Sequence, residues 1–383
     1  MASVLPKITV TGRRRATILI FVNDGEPEPV ALAVVELARA GKFAEVRELF
    51  APQLRPMLSA EGLRAAWNAE LGRRGQVTSV GSPVTEPAQA GMTEVKVPVT
   101  FEHGALTVVV TLAGGGLLTG IALMPASAAQ PTEPWRPPGY ADPGTFAEQD
   151  VTLGAGPAEV PGTLSLPHRP RPCPAVVLLS GSGPHDRDET LGRNKPLKDL
   201  AWGLATRGVG VLRFDKVTYV HAAQLAAARD FTLSGEYLPQ AVAAVGLLRQ
   251  HPAVDADRVF VAGHSLGGTV APRVAAAEPS VAGLVIMAGG AQPLHRAAVR
   301  QFRYLASLDP GNAAAAQPAI EAITRQADMV DSPGLSPATP DSELPFGIPA
   351  AYWLDLRGYD PAAAAAALGK PILILQGGRD YQA

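Results

Sequence analysis

The chain has 383 residues, 47% of them hydrophobic and 18% charged, which is enough for two domains with a large core and excludes global disorder. Lys and Arg number 33 against 35 Asp and Glu, a net charge of −2, so nothing calls for nucleic acid or an anionic membrane surface as partner. A single cysteine, Cys173, excludes a disulfide framework, a CxxC redox pair and a cysteine-rich zinc site, and no apolar run approaches the ~20 residues of a membrane helix.

In chain order, Arg13, Arg14 and Arg15 precede the apolar run Ala16–Val22, the order of a signal peptide. The run is short, stops at Asn23-Asp24 and has no small-x-small cleavage site, so residues 1–27 read as a leader, a short strand or disordered. A cytoplasmic protein is expected, with secretion as the alternative. Val30–Ala40 reads as a helix closed by Gly41, and Phe43–Phe50 and Ser59–Leu71 as further helices, the last capped by Ser59. The period then changes to two. Val95, Val97, Val99 and Phe101 alternate with more polar residues, as do Leu106, Val108, Val110 and Leu112, and Gly114–Gly116 turns into Leu117–Met124. Helices followed by antiparallel strands predict an α+β domain over 28–125. The proline-dense stretch 126–147 predicts a linker.

From 148 the pattern alternates strand and helix. Ala175–Leu179, Val209–Phe214, Arg258–Ala262, Leu284–Met287 and Ile372–Leu375 are short continuous apolar runs, and Lys195–Arg207 and Glu236–Gln250 are helical. Such runs between helices predict an α/β domain over 148–383 with a mostly parallel sheet covered on both faces. Between Ala288 and Gly369 the rhythm breaks into helices and proline-rich loops. The stretch 291–369 predicts a helical cap inserted between two strands.

Three motifs carry chemistry. Gly263-His-Ser-Leu-Gly-Gly268 follows one strand and opens a helix, the strand–turn–helix context in which G-x-S-x-G makes its serine a nucleophile, here Ser265. The glycines allow the tight turn, and the helix start helps to stabilise negative charge. Ser180-Gly-Ser-Gly-Pro184 ends the Ala175–Leu179 run, so the N–H groups of Ser182 and Leu266 are the expected oxyanion hole. The alternative for that stretch is an ordinary glycine turn. Gly377-Gly-Arg-Asp380 ends the last strand and leaves Asp380 as the expected triad acid in the order Ser…Asp…His. Asp186-Arg187-Asp188 reads equally well as a solvated ion-pair cluster. Phe302, Tyr304, Tyr352 and Trp353 are cap aromatics. Tyr352 and Trp353 are expected to bind substrate, against the alternative of core packing. Cys173 lies before a strand, away from the turn. No His-x-x-x-His or carboxylate cluster suggests a metal, and no motif asks for a cofactor.

Residues 148–383 resemble the α/β-hydrolase superfamily, and within it bacterial serine hydrolases in which a small domain of the DUF3887 type precedes the catalytic one. The stretches that carry the resemblance are 181–188 (Gly-Ser-Gly-Pro-His-Asp-Arg-Asp), 212–216 (Leu-Arg-Phe-Asp-Lys), 236–239 (Glu-Tyr-Leu-Pro), 263–268, 352–356 (Tyr-Trp-Leu-Asp-Leu) and 375–381 (Leu-Gln-Gly-Gly-Arg-Asp-Tyr). Residues 30–124 are similar to the NTF2-like companion domain. The resemblance implies hydrolysis of an ester-like bond in a small molecule through an acyl-enzyme, with Ser265 as nucleophile and Asp380 as acid. Two departures stand out. Asp215-Lys216 is followed by Val-Thr-Tyr-Val-His221 where relatives have an Arg-Gly-x-Gly-like turn, and the sequence stops three residues after Asp380, where relatives continue to a catalytic histidine.

The seven histidines present are His103, His168, His185, His221, His251, His264 and His295. Of these, His185 and His221 follow strands at the correct edge of the sheet. The resemblance therefore implies a truncated, impaired hydrolase with an exposed apolar edge at Ile372–Leu375. The competing expectation is a non-catalytic binding protein on a decayed hydrolase scaffold. Residues 28–125 would be a small-molecule or dimerisation module, and a homo-oligomer is compatible with this.

Overall fold

The computed structural model describes residues 8–11, 17–20, 26–51, 54–55, 59–88, 92–126, 135–169, 171–225, 228–308 and 313–382. The rest of the expected leader up to residue 25, and residues 127–134 of the expected linker, lie outside the described residues. The chain divides into two compact units, Met1–Glu133 and Pro134–Ala383.

In the first unit, β1 (Ile8–Thr11) pairs antiparallel with β2 (Thr17–Ile20). Helix α1 (Pro27–Arg39) buries Val30, Val34, Leu37 and Ala38, which recur at three- and four-residue spacing. Gly41, at φ 73°, takes the chain out of that helix into α2 (Phe43–Glu48). Helix α3 (Ala60–Arg74) starts at Ser59, whose hydroxyl accepts from the Gly62 N–H at 2.9 Å. Strands β3 (Val77–Val80), β4 (Val84–Pro87), β5 (Thr93–Phe101), β6 (Gly104–Leu112) and β7 (Leu118–Pro125) form an antiparallel sheet in the order β3–β5–β6–β7, with β4 also on β5. The register pairs Val95 with Val110, Val97 with Val108 and Val99 with Leu106. Period-two spacing thus puts these side chains on one face, where they pack with Val30, Val34 and Leu37 of α1.

The second unit runs β8 (Phe146–Leu153), β9 (Val160–Pro167), β10 (Cys173–Leu179), α4 (Pro196–Thr206), β11 (Gly210–Phe214), α5 (Val217–Val220), α6 (Ala222–Leu225), α7 (Leu233–Gln250), β12 (Val254–His264), α8 (Leu266–Ala277), β13 (Leu284–Met287), α9 (Leu294–Ser307), α10 (Ala313–Asp331), α11 (Ala350–Leu356), α12 (Pro361–Ala367) and β14 (Ile372–Leu375). The sheet order is β14–β13–β12–β10–β11–β9–β8. The first five of these strands are parallel, while β9 is antiparallel to β11 and β8 to β9. The sheet is therefore mixed, and its antiparallel pair has no counterpart in the apolar runs of the sequence. Residues 148–152 of β8 are exposed or half-buried, so no hydrophobic stretch announces that strand.

Strand β10 shows why the central strands read as continuous apolar runs. Ala175, Val177 and Leu179 pack against Tyr237, Ala241 and Val245 of α7 and Val270 and Val274 of α8. Val176 and Leu178 pack on the other face against Leu197 and Ala201 of α4. Each of the valine and leucine side chains among them contributes about 1.5–3 kcal/mol when fully buried. Trp135, near the start of the unit, sets its ring edge-on to Trp202 at 4.9 Å and donates to Asp199 at 2.8 Å. At the other end of the sheet, Leu373, Ile374 and Leu375 of the edge strand β14 are all exposed, an uncovered apolar edge. Helices α9 to α12 all lie in the insertion between β13 and β14. Among the described residues, no helix is long and apolar enough to cross a membrane.

Candidate active site

The parallel strands β10, β12, β13 and β14 end along one edge of the sheet, and the three sequence motifs meet there. Backbone hydrogen bonds stitch that edge together. The Ser265 N–H donates to Met287 O at 2.8 Å, and the Ala288 N–H to Leu375 O at 2.8 Å. Between β12 and α8 the chain reverses on Ser265, at φ 51° and ψ −119°, a region that L-residues rarely occupy and that costs of order 1–3 kcal/mol. The glycines around it leave no room for side chains. A Cβ on Gly267 would stand 2.6 Å from the carbonyl oxygens of Leu179 and Ser180, and one on Gly268 would stand 2.9 Å from Gly263 O. A Cβ on Gly263 would run into the Gly267 carbonyl.

A cavity of about 560 Å³ opens over this turn, lined by Ser265, Leu266 and Ser182. The insertion adds Leu294, Ala297, Ala298, Phe346, Ile348 and Tyr352, so much of the wall is apolar. Asp380 lines an adjoining cavity of about 640 Å³, and Thr269, Gly290, Gln292, Ala297 and Gln382 line both. The Asp380 carboxylate accepts from Gln376 Nε2 at 3.3 Å and from the Gln382 N–H at 2.8 Å. The structure thus brings Ser265, Leu266, Ser182 and Tyr352 to one cavity and places Asp380 beside it.

Trp353 does not join them. It is fully buried, its ring edge-on to His295 at 6.1 Å, and it is absent from the cavity wall. The expectation that it binds substrate is therefore corrected. Adjacent residues on α11 face about 100° apart, and only Tyr352 faces the cavity. Phe302 packs in the cluster between α9 and α10, and Tyr304 stacks on Tyr381 at 5.0 Å. Cys173 is buried, its thiol against Ala253 O at 3.3 Å.

The loop after β10 is held by charge rather than by a ladder. Asp188 accepts from Arg213 at 2.8 Å and Lys195 at 2.9 Å, and Arg187 pairs with Asp215 at 2.9 Å. Burial works to raise the Asp188 carboxyl, but Arg213 and Lys195 outweigh it and hold the group below its ordinary value. The Asp186–Asp188 stretch is thus anchored to the sheet rather than merely solvated. Lys216, almost wholly buried, donates to Glu236 at 2.7 Å, to Gly181 O at 2.9 Å and to the Tyr237 hydroxyl at 2.8 Å. Burial pulls its ammonium down, and the Glu236 carboxylate opposes that. Tyr352 donates to the far oxygen of Glu236 at 3.3 Å, and burial pushes both Tyr352 and Tyr237 well above the ordinary phenol range.

Glu189 accepts from the Gly181 N–H at 2.7 Å and bonds His264 Nδ1 at 2.9 Å. Sequence reading gave no role to Glu189, Lys216, Glu236 or Tyr237. Glu236-Tyr237 and Asp215-Lys216 lie in stretches that carry the family resemblance, but their partners are far off in sequence. Among the described residues, no group of three or more His, Cys, Asp or Glu could hold a metal ion.

The His264–Glu189 bridge predicts a stability signature. The Glu189 hydrogen bond, working against burial and helped by Asp380, raises His264 above its ordinary 6.5. Burial pushes Glu189 up, but His264 and the Gly181 N–H outweigh it, leaving the carboxyl below its ordinary 4.5. The His264 contribution is full below its unfolded value and is lost as pH rises through the folded one. The Glu189 contribution is present above its unfolded value and is lost as pH falls through the folded one. The thermal-midpoint gap between wild type and His264→Asn should therefore be widest between about pH 4.5 and 6.5 and narrow above that range. A gap that widens steadily toward pH 9 would contradict this.

Over 367 residues the chain is 32% identical to the esterase EstD of Thermotoga maritima, an alignment covering 95% of this chain and 82% of that protein. No protein-family model matches the chain. Among solved structures, a 2,6-dihydroxy-pseudo-oxynicotine hydrolase is 20% identical at a TM-score of 0.38, over 61% of this chain and 54% of its own. An esterase of Pyrobaculum calidifontis is 18% identical at a TM-score of 0.31, over 40% of this chain and 50% of its own. The mixed α/β fold and the cavity over its strand ends suit an ester hydrolase. The chain belongs to the esterase family of which the Thermotoga maritima EstD is a member.

Proposed function

We propose that the protein is a serine-dependent carboxylic ester hydrolase that works through an acyl-enzyme. The observation that carries this reading is Ser265, at a strained strand-to-helix turn on the cavity wall beside Leu266 and Ser182. Ser265 Oγ attacks the ester carbonyl carbon, and its proton passes to a base. The carbonyl π electrons move onto oxygen, which the Leu266 and Ser182 N–H groups receive. Collapse expels the alcohol, protonated by the same base, and water then releases the acid. Asp380 orients the base. Residues 148–383 form the hydrolase domain with 291–369 as its cap, and 28–125 a companion domain of the NTF2-like kind.

This reading assigns the base to no particular residue. His264 is bonded to Glu189, His185 to Ser182 O, His221 to Glu159 O and His295 to Asp331. His168 and His251 lie at the opposite edge of the sheet, His103 is in the other unit, and no histidine lines the cavity.

The apolar wall supplied by the insertion supports a substrate whose acyl or alcohol part is apolar. Leu294→Trp should narrow the cavity. It should lower kcat/KM for a p-nitrophenyl octanoate much more than for the acetate, by a differential of about tenfold. An unchanged chain-length profile in the full-length protein would remove the insertion from substrate choice.

A further inference from the structure

Gly181 is gripped at both of its peptide groups by charged side chains. Strand β10 ends at Leu179, so neither group belongs to its ladder. The Gly181 N–H donates to Glu189 Oε1 at 2.7 Å. The Gly181 carbonyl accepts from Lys216 Nζ at 2.9 Å and from the Tyr237 hydroxyl at 2.8 Å. That carbonyl shares one planar trans peptide with the N–H of Ser182, so the two point in opposite directions. Fixing the carbonyl on buried Lys216 therefore aims the Ser182 N–H away from the core, and Ser182 lines the cavity. The Glu189 bond fixes the preceding peptide plane. Together the two grips set both torsions of a residue that, as glycine, has the widest backbone freedom.

Glu189 is also strained, at φ 54°. Among the described residues four non-glycine residues have positive φ, and three of them, Ser265, Ala288 and Phe346, line the cavity. Glu189 is the fourth. A buried residue that keeps such a conformation is held there by its surroundings, and strain of this kind gathers at working sites. Its carboxylate ties the Gly181 loop to His264, the neighbour of Ser265. The fit is close, since a Cβ on Gly181 would lie 3.0 Å from Glu189 Oε1 and 3.4 Å from Ser265 Cβ.

We propose that Glu189, with Lys216 opposite it, is a positioning residue of this esterase: it holds Gly181 so that the Ser182 N–H is preset for the oxyanion at a fixed distance from Ser265. The inference rests on the reading of Ser265 as nucleophile and of Ser182 as an oxyanion donor. Such a donor acts on charge that develops only in the transition state, so its misplacement lowers kcat and leaves KM nearly alone.

The test is steady-state hydrolysis of a p-nitrophenyl ester by the full-length protein, its folding checked by thermal midpoint, with Ser265→Ala run in parallel. Glu189→Ala should lower kcat by about 10²-fold, the scale of losing one oxyanion donor, with KM within about threefold. Glu189→Gln keeps an acceptor for the Gly181 N–H and a donor for neutral His264, and should regain at least about tenfold of that loss. A folded Glu189→Ala with wild-type kcat would overturn the proposal, as would a loss confined to KM or a folded Glu189→Gln no better than the alanine. If Glu189→Ala does not fold, Glu189→Asp decides. It keeps the charge but falls one methylene short of Gly181. A tenfold or greater loss of kcat at an unchanged midpoint supports the proposal, and wild-type kcat overturns it. If Ser265→Ala keeps its turnover, the nucleophile reading fails. If only Ser265→Ala is silent and the Glu189 variants behave as wild type, the positioning role alone fails.

Discussion

Ser265→Ala should cut turnover of a p-nitrophenyl ester by the full-length protein by up to about a million-fold, with the fold unchanged. Alanine keeps the Cβ and the strained backbone of the turn and removes only the attacking oxygen. The members of such a triad act as a unit, so removing the serine or its base costs nearly as much as removing all three. That non-additivity gives a second expectation. A variant that removes the base should therefore be about as slow as Ser265→Ala, and adding Ser265→Ala to it should change turnover little. What remains is the ~10³–10⁴-fold that binding and the oxyanion donors supply over water. Turnover abolished by His185→Ala as fully as by Ser265→Ala would put the base on His185.

Gly263→Ala should be the most damaging single-methyl change in the larger unit. The added carbon meets the carbonyl group of Gly267 and the amide nitrogen of Gly268, not the end of a flexible side chain. Relief would require β12 and α8 to move apart, yet β12 is hydrogen-bonded to β10 and β13 on its two sides. Overpacking of this kind costs about 1–3 kcal/mol where side chains can yield, and the upper end or more is expected where only backbone could move. For a unit of this size ~3 kcal/mol lowers the thermal midpoint of its transition by roughly 6–12 °C. Gly246→Ala, inside α7 and where a Cβ would meet nothing within 4 Å, is the control and should hold the midpoint or raise it slightly, since alanine favours a helix interior over glycine by about 0.5–1 kcal/mol. Equal midpoints for the two variants would show that the turn is looser than its geometry implies.

How much of this was readable beforehand depends on how locally each feature is encoded. The turn at Ser265 is written in six consecutive residues and in the change of pattern on either side, and it stands where the motif placed it. Strands β10, β12 and β13 announce themselves because both faces are covered, which forces an unbroken apolar run. Strands β8 and β9 do not. They form the antiparallel side of the sheet, and the middle of β8 is polar and largely exposed. Tyr352 and Trp353 were indistinguishable as neighbours in sequence, since only the facing of α11 decides which one sees the cavity. The bracing of the Gly181 loop was out of reach for another reason. Glu189 and His264 are 75 positions apart, and Lys216 and Gly181 35, so no window on the sequence contains both ends of either contact. The sequence did supply the charges, as Asp-Arg-Asp-Glu and Asp-Lys, but the partner of each is set only by the order of the strands.

The central claim is that Ser265 is the atom-bearing nucleophile, and covalent labelling tests it most directly. The full-length protein would be incubated with a fluorophosphonate, digested and mapped by mass spectrometry. The account predicts one adduct, on the peptide that contains Ser265, absent from Ser265→Ala and appearing in step with the loss of esterase activity. An adduct on another residue that tracks the lost activity, or unlabelled protein that still turns over ester at full rate in Ser265→Ala, would contradict it.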